Sequence, residues 1–186
     1  MTTPIPVIID TDPGVDDAIA LLLALRAPEL NVVGITTVFG NVSVEKTTGN
    51  ACRVLDLLDK PLHAPPVVRG SSGPLVRSFR SADHVHGTDG LGDAELPATD
   101  RSILDHGVVP FILEHARAYA GELQLISLGP LTNMARVLAA AAEPAQLFAH
   151  LTAMGGAVTV PGNRTPVAEF NVMSDPEAAE IVFRSG

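Results

Sequence analysis

Cysteine occurs once, tyrosine once and tryptophan not at all in 186 residues. The lone Cys52 excludes an internal disulfide. Its helical setting, Ala51-Cys52-Arg53-Val54-Leu55, suits a buried small apolar side chain rather than a nucleophile. Basic residues are also scarce, with 12 Lys plus Arg against 21 Asp plus Glu and a formal net charge of −9. Nucleic-acid binders concentrate Lys and Arg on one face, so no nucleic-acid partner is expected. No uninterrupted apolar run approaches the roughly 18 residues of a membrane span. Met1-Thr2-Thr3-Pro4 lacks the basic start and apolar run of a secretory signal. No membrane partner is expected, and the cytoplasm is the default compartment.

What the chain does have is a hydrophobic content of 46%, enough for a substantial core in one domain spanning residues 1–186. Short β-branched runs alternate with longer helical patterns, the mark of parallel βαβ units. Strands are expected at Pro6–Asp10, Asn31–Phe39, Pro66–Arg69, Leu123–Leu128 and Leu151–Met154. Helices are expected at Asp16–Arg26, Val44–Leu58, Ile103–Tyr119, Leu131–Ala142 and after Asp175. The fold class is therefore α/β, an open, mostly parallel Rossmann-like sheet with helices on both faces. Residues 70–99, rich in Gly, Ser, Asp, Pro and His, read as a long surface excursion, the kind of loop that is usually functional.

Four of the acids fall within eight residues, in Asp10-Thr11-Asp12-Pro13-Gly14-Val15-Asp16-Asp17. Strand alternation places Asp10 and Asp12 on one side, and Asp16 and Asp17 open the next helix. The carboxyl end of a strand in an open α/β sheet is where ligands bind, so the four acids are expected in one crevice. Like charges about 4 Å apart repel by about 4 kcal/mol at an effective dielectric of 20, and a bound cation resolves the conflict. Oxygen ligands without His or Cys favour Ca²⁺ or Mg²⁺ over Zn²⁺. Asp16 and Asp17 taken alone read equally as ordinary first-turn acids. His84 and His86, spaced His-x-His, lack an evident third zinc ligand. His63, His106, His115 and His150 read as surface or helix-end residues.

The pattern Asp-x-Asp-Pro-Gly-x-Asp-Asp after an apolar strand resembles the signature of the inosine-uridine-preferring nucleoside hydrolases, and further similarities run through the chain. The resemblance implies hydrolysis of the N-glycosidic bond of ribonucleosides by a Ca²⁺-activated water. It implies that Asp12 ligates the ion and acts as general base, that Asp17 ligates through both oxygens, and that Leu128 lends its backbone carbonyl. Asp16, Asn41, Met154, Asn163, Glu169 and Asn171 would contact the substrate, with Asp10 as a supporting acid. His86 would sit on a flap within 70–99 that closes over the sugar and would serve both binding and catalysis. Glu169 and Asn171 flank Phe170 with period two, so one face could present both polar groups.

Such an enzyme develops oxocarbenium-like charge on the ribose, which a crevice of carboxylates stabilises. The resemblance also implies a His-Asp pair beyond Gly186, whose Asp completes the calcium shell and whose His often protonates the leaving base. Impaired turnover and self-association through uncovered apolar surface are therefore expected of this chain. The alternative is a catalytically silent metal- and ribose-binding or assembly module. A phosphatase using an Asp-x-Asp pair would want Lys or Arg near the strand ends at Asp12, Asn41 and Met154, where none stands.

Overall fold

A computed structural model describes residues 3–58, 64–141 and 147–185. The expectations for His63 and for a helix end at Ala142 lie outside these residues, as does the side chain of His84. The described chain forms one five-stranded parallel sheet in the order β3-β2-β1-β4-β5. Its strands are β1 (Ile5–Thr11), β2 (Leu30–Thr37), β3 (Val67–Arg69), β4 (Gln124–Ser127) and β5 (His150–Ala153).

The central strand β1 shows why the sheet carries helices on both sides. Its run Val7-Ile8-Ile9 is buried throughout, and alternation splits it between two cores. Val7 and Ile9 join Ile35 and Val67 beneath α1 (Val15–Arg26) and α2 (Val44–Asp56). Ile8 instead packs with α4 (Val108–Ala118), α5 (Thr132–Ala140) and α7 (Pro176–Phe183) on the opposite face. The β1–β2 register slips between Val7 and Ile8, so that Gly34 lies against the ring of Phe111 with no room for a side chain. Cys52 is buried in α2, as its setting suggested.

Helix α7 starts by the expected signals. Asp175 caps it by accepting from Ala178 N at 3.0 Å, with Pro176 in the first turn. The other Asp175 oxygen accepts from Thr132 Oγ1 at 2.6 Å and from Leu75 N at 2.9 Å, tying α7 to α5 and to the excursion after β3. Helix α1 differs from the other long helices in leaving Val15, Ile19 and Leu23, one residue per turn, exposed. Among the described residues, no helix is long and apolar enough to cross a membrane.

Four expectations need correction. The helix predicted from Ile103 begins only at Val108, because Leu104 is drawn into a parallel bridge with Val68 and donates its N–H to Val67 O at 2.9 Å. Strand β2 stops at Thr37 rather than Phe39, where the chain turns toward the site. The excursion over 70–99 contains a one-turn helix, α3 (Asp83–His86). The segment around Phe170 forms a further short helix, α6 (Phe170–Ser174), which the period-two reading of Glu169 and Asn171 missed.

Candidate active site at the carboxyl end of the sheet

In the strand order, the chain leaves β1 toward β2 on one side and returns to β4 on the other, so a crevice opens where the two directions part. A cleft of about 460 Å³ occupies this position. Asp12, Asp16, Asp17, Asn41, His86, Leu128, Met154, Asn163, Glu169 and Asn171 all line it. Of the residues singled out from sequence, only Asp10 stands behind the wall rather than in it.

Asp10 is fully buried. Its Oδ1 accepts from Thr36 Oγ1 at 2.5 Å and from Asn133 Nδ2 at 2.8 Å. Its Oδ2 is buried with no hydrogen-bond partner among the described residues. Burial pushes the Asp10 pKa up to about 7, against the opposing effect of those two donors. Asp12 continues past the end of β1. Its Oδ2 accepts from Asn41 N at 2.7 Å. Two glycines make room for this carboxylate. A Cβ on Gly40 would overlap Asp12 Oδ2, and one on Gly129 would lie 2.5 Å from Oδ1.

Thr11 alternates to the other face and donates its hydroxyl to Asp17 Oδ1 at 2.7 Å. Asp17 Oδ2 accepts from Gly14 N at 3.1 Å and from Asn41 Nδ2 at 3.4 Å, closing the turn into α1. Asp12 and Asp17 both have raised pKa values. For each, burial is the leading cause, and their mutual repulsion adds to it at Asp12. Asp16 stands at the rim with its side chain 78% exposed, 3.9 Å from His86 Nδ1.

The histidine ring lies over the α1 N-terminus. Val15 N donates to His86 Nδ1 at 3.4 Å, and a Cβ on Gly14 would come within 2.7 Å of that same nitrogen. The strap carrying the ring is braced against α2. Asn50 Nδ2 donates to Asp89 O at 2.8 Å, and Lys46 Nζ donates to Thr88 O at 2.6 Å.

The far wall comes from β4, β5 and the segment leading to α6. Leu128 O accepts from Asn171 Nδ2 at 2.7 Å, and the same amide group reaches Met154 O at 3.1 Å. Glu169 is the N-cap of α6. Its carboxylate accepts from Asn171 N and Val172 N, and also from Gly156 N at 3.0 Å. Asn163 Oδ1 accepts from Phe170 N at 2.9 Å, folding the intervening loop back on itself.

Among the described residues, no group of three or more His, Cys, Asp or Glu side chains forms a metal cage. Asp12, Asp17 and Leu128, the residues expected to hold a cation, all line the cleft. Two adjacent buried carboxylates whose pKa values are raised by burial, and at Asp12 by mutual repulsion, fit a hard divalent cation. Sequence reasoning missed the residues that hold the acids in place, Thr11, Thr36 and Asn133, and the lining residues Arg164 and Phe170. Thr11 and Asn133 lay inside segments already singled out. Their hydrogen bonding left no periodic trace.

The family model for inosine-uridine preferring nucleoside hydrolases matches residues 7–186. The chain belongs to this family. It is 44% identical over 180 residues to "Uridine nucleosidase 1" of Arabidopsis thaliana, covering 96% of this chain and 53% of that protein. It is 46% identical over 181 residues to "Pyrimidine-specific ribonucleoside hydrolase RihA" of Shewanella sp. (strain MR-4), covering 97% and 56%. Among solved structures, the plant nucleoside hydrolase PpNRh1 superposes with a TM-score of 0.92 at 39% identity, covering 99% of this chain and 58% of that one. The chain thus spans about half the length of the relatives it matches.

Proposed function

We propose that the cleft hydrolyses the N-glycosidic bond of ribonucleosides, releasing base and ribose, with Ca²⁺ held by Asp12, Asp17 and the Leu128 carbonyl. One observation carries this reading. A paired-carboxylate wall and a sugar-suited wall of amide and carboxylate groups face each other across one cleft, at the switch point of a nucleoside hydrolase fold. When bound there, Ca²⁺ would supply the positive charge that lowers the pKa of a nearby water and offsets the repulsion between Asp12 and Asp17.

The chain's own residues perform the remaining work. Asp12 is fixed through Oδ2 by Asn41 N, which leaves Oδ1 to take the proton of the attacking water. Asp16, at the rim, and Asn41 hold ribose hydroxyls on one side. Asn163, Glu169 and Asn171 hold the sugar on the other, and this positioning converts an encounter into an oriented reaction. As the bond to the base lengthens, the carboxylate wall stabilises the positive charge that develops on the sugar, and the departing base nitrogen takes up a proton through solvent that balances the one Asp12 removes from water. His86, over the α1 N-terminus, closes the cleft toward solvent on the Asp16 side.

The test is release of reducing sugar from uridine and inosine by the purified chain, with and without Ca²⁺, alongside calcium titration. Calcium-dependent hydrolysis that disappears in Asp12→Asn is the expected result. Calcium and ribose binding without turnover would favour the silent binding module. Absence of both calcium binding and hydrolysis would overturn the reading altogether.

A further inference from the structure

Asn50 is fully buried in α2, yet its amide nitrogen reaches out of the helix to the two segments that meet over the cleft. It donates to Pro13 O at 3.2 Å and to Asp89 O at 2.8 Å. Carbonyl oxygens only accept, so the orientation of the amide is fixed and both of its hydrogens are used, one on each segment. Pro13 directly follows Asp12, and the next residue, Gly14, donates its N–H to Asp17 Oδ2 at 3.1 Å. Asp89 lies just beyond His86, in a turn closed by Gly90 N to Gly87 O at 3.2 Å and by Gly92 N to His86 O at 2.7 Å. One amide thus holds the acidic turn and the His86 strap together.

A buried amide with both hydrogens paired is commonly no more than a satisfied core group. Two features make this one a clasp. The strap approaches so closely that a Cβ on Gly90, where φ is 88°, would lie 2.9 Å from both Asn50 Nδ2 and Val42 Cγ2. The direct contact between the two segments, Val15 N to His86 Nδ1, is long at 3.4 Å, so the shorter path between them runs through Asn50. Lys46, one turn earlier on the same helix, adds a tie to the strap at Thr88 O. We infer that Asn50 is a positioning residue, which registers the His86 strap against the acidic turn and so sets where the imidazole stands over the cleft. That the imidazole faces a nucleoside there rests on the proposed function, whereas the clasp does not.

Hydrogen exchange of the ion-free protein, read by NMR together with the His86 ring signals assigned through His86→Gln, tests this. In Asn50→Ala the amides of Gly14, Gly90 and Gly92 should all exchange about tenfold faster, since each segment loses a hydrogen bond, while β1, β4 and α5 stay protected. The His86 ring signals should shift with them. Lys46→Met, at an exposed side chain, should quicken Gly90 and Gly92 but not Gly14. Gly90→Ala, which wedges the strap off an unaltered α2, should move the His86 signals in the same way if Asn50→Ala proves unstable. The affinity for uridine, titrated calorimetrically with Ca²⁺ present, should fall about tenfold in Asn50→Ala. Faster exchange across the whole sheet, or at the strap alone, in Asn50→Ala overturns the clasp, as do unmoved His86 signals. Uridine that binds the unaltered chain and Asn50→Ala alike also overturns it. Uridine that binds neither counts against the proposed function, and the exchange pattern then decides the clasp.

Discussion

The two walls of the cleft are held by different kinds of hydrogen bond. The acidic wall is joined across long stretches of chain. Asn41 N reaches Asp12 over 29 positions, Asn41 Nδ2 reaches Asp17 over 24, and Asn133 reaches Asp10 over 123. The sugar wall is stitched mostly from within, by bonds from Glu169 to Asn171 and Gly156 spanning 2 and 13 positions and from Asn163 to Phe170 spanning 7. Asp10, Asp12 and Asp17 are also buried, whereas the second wall runs from buried Glu169 and Asn171 out to exposed Asn163. The acidic wall exists only when β1, β2 and α5 are assembled around it, and it concentrates charge that burial opposes. The opposite wall is a loop and helix cap, anchored to the sheet through the Asn171 amide at Leu128 O and Met154 O. A disturbance of the first should therefore spread through the fold, whereas a disturbance of the second should stay where it is made.

The largest test of this contrast is Asp17→Asn, which removes one of the two carboxylates in the donor set. Calcium affinity should fall by about a hundredfold or more, read by calorimetric titration. Retained affinity would remove the acidic wall from the cation site. Next is Gly40→Ala, whose new methyl group must displace the Asp12 carboxylate. Overpacking of this kind costs about 1–3 kcal/mol in chemical denaturation, and calcium affinity should drop with it. Undiminished stability would mean that the acidic wall yields locally, contrary to the contrast drawn above.

A third test uses pH. The raised pKa values of Asp10, Asp12 and Asp17 mean that the native state holds protons that the unfolded chain releases. Stability from these groups is therefore fully present below the unfolded carboxylate range of about 4 and is lost as pH rises through the folded value, about 7 for Asp10. The melting temperature of the ion-free protein should fall between about pH 5 and about pH 8, and added Ca²⁺ should restore it at the upper end. A flat profile would show that the acids titrate as if exposed. The smallest effect belongs to Glu169→Gln, which weakens the α6 cap by about 1 kcal/mol. Faster hydrogen exchange confined to residues 156–172, with calcium affinity unchanged, is the expected outcome. Loss of protection across β1 and β2 would erase the difference between the walls.

The acidic wall was legible in the sequence because Asp10, Asp12, Asp16 and Asp17 are compressed into one strand-to-helix turn, where alternation and helix entry fix their directions. The sheet was legible for the same local reason, through its short apolar runs. Asn133 was not, since only the packing of α5 against β1 brings its amide to Asp10. Glu169 and Asn171 were found as residues but misread as a strand-like pair, because a helix cap and an alternating face share the same spacing of two. The early start predicted for α4 failed where a tertiary bridge to Val68 outweighed helical propensity. Arg77 and Arg164 lie far apart in the chain yet line one cavity in the fold, a meeting with no sequence signature.

Gly40 and Gly129 carry a consequence for anyone wishing to alter this protein's chemistry. Because both stand where any side chain would intrude on the Asp12 carboxylate, that group is aimed by empty space as much as by the Asn41 amide. A redesign that enlarges either neighbour meets the Asp12 side chain itself, and at Gly129 the side chain of Val38 as well. The route to a different specificity in this scaffold therefore runs through the opposite wall, whose loop can be rebuilt without taking the sheet apart.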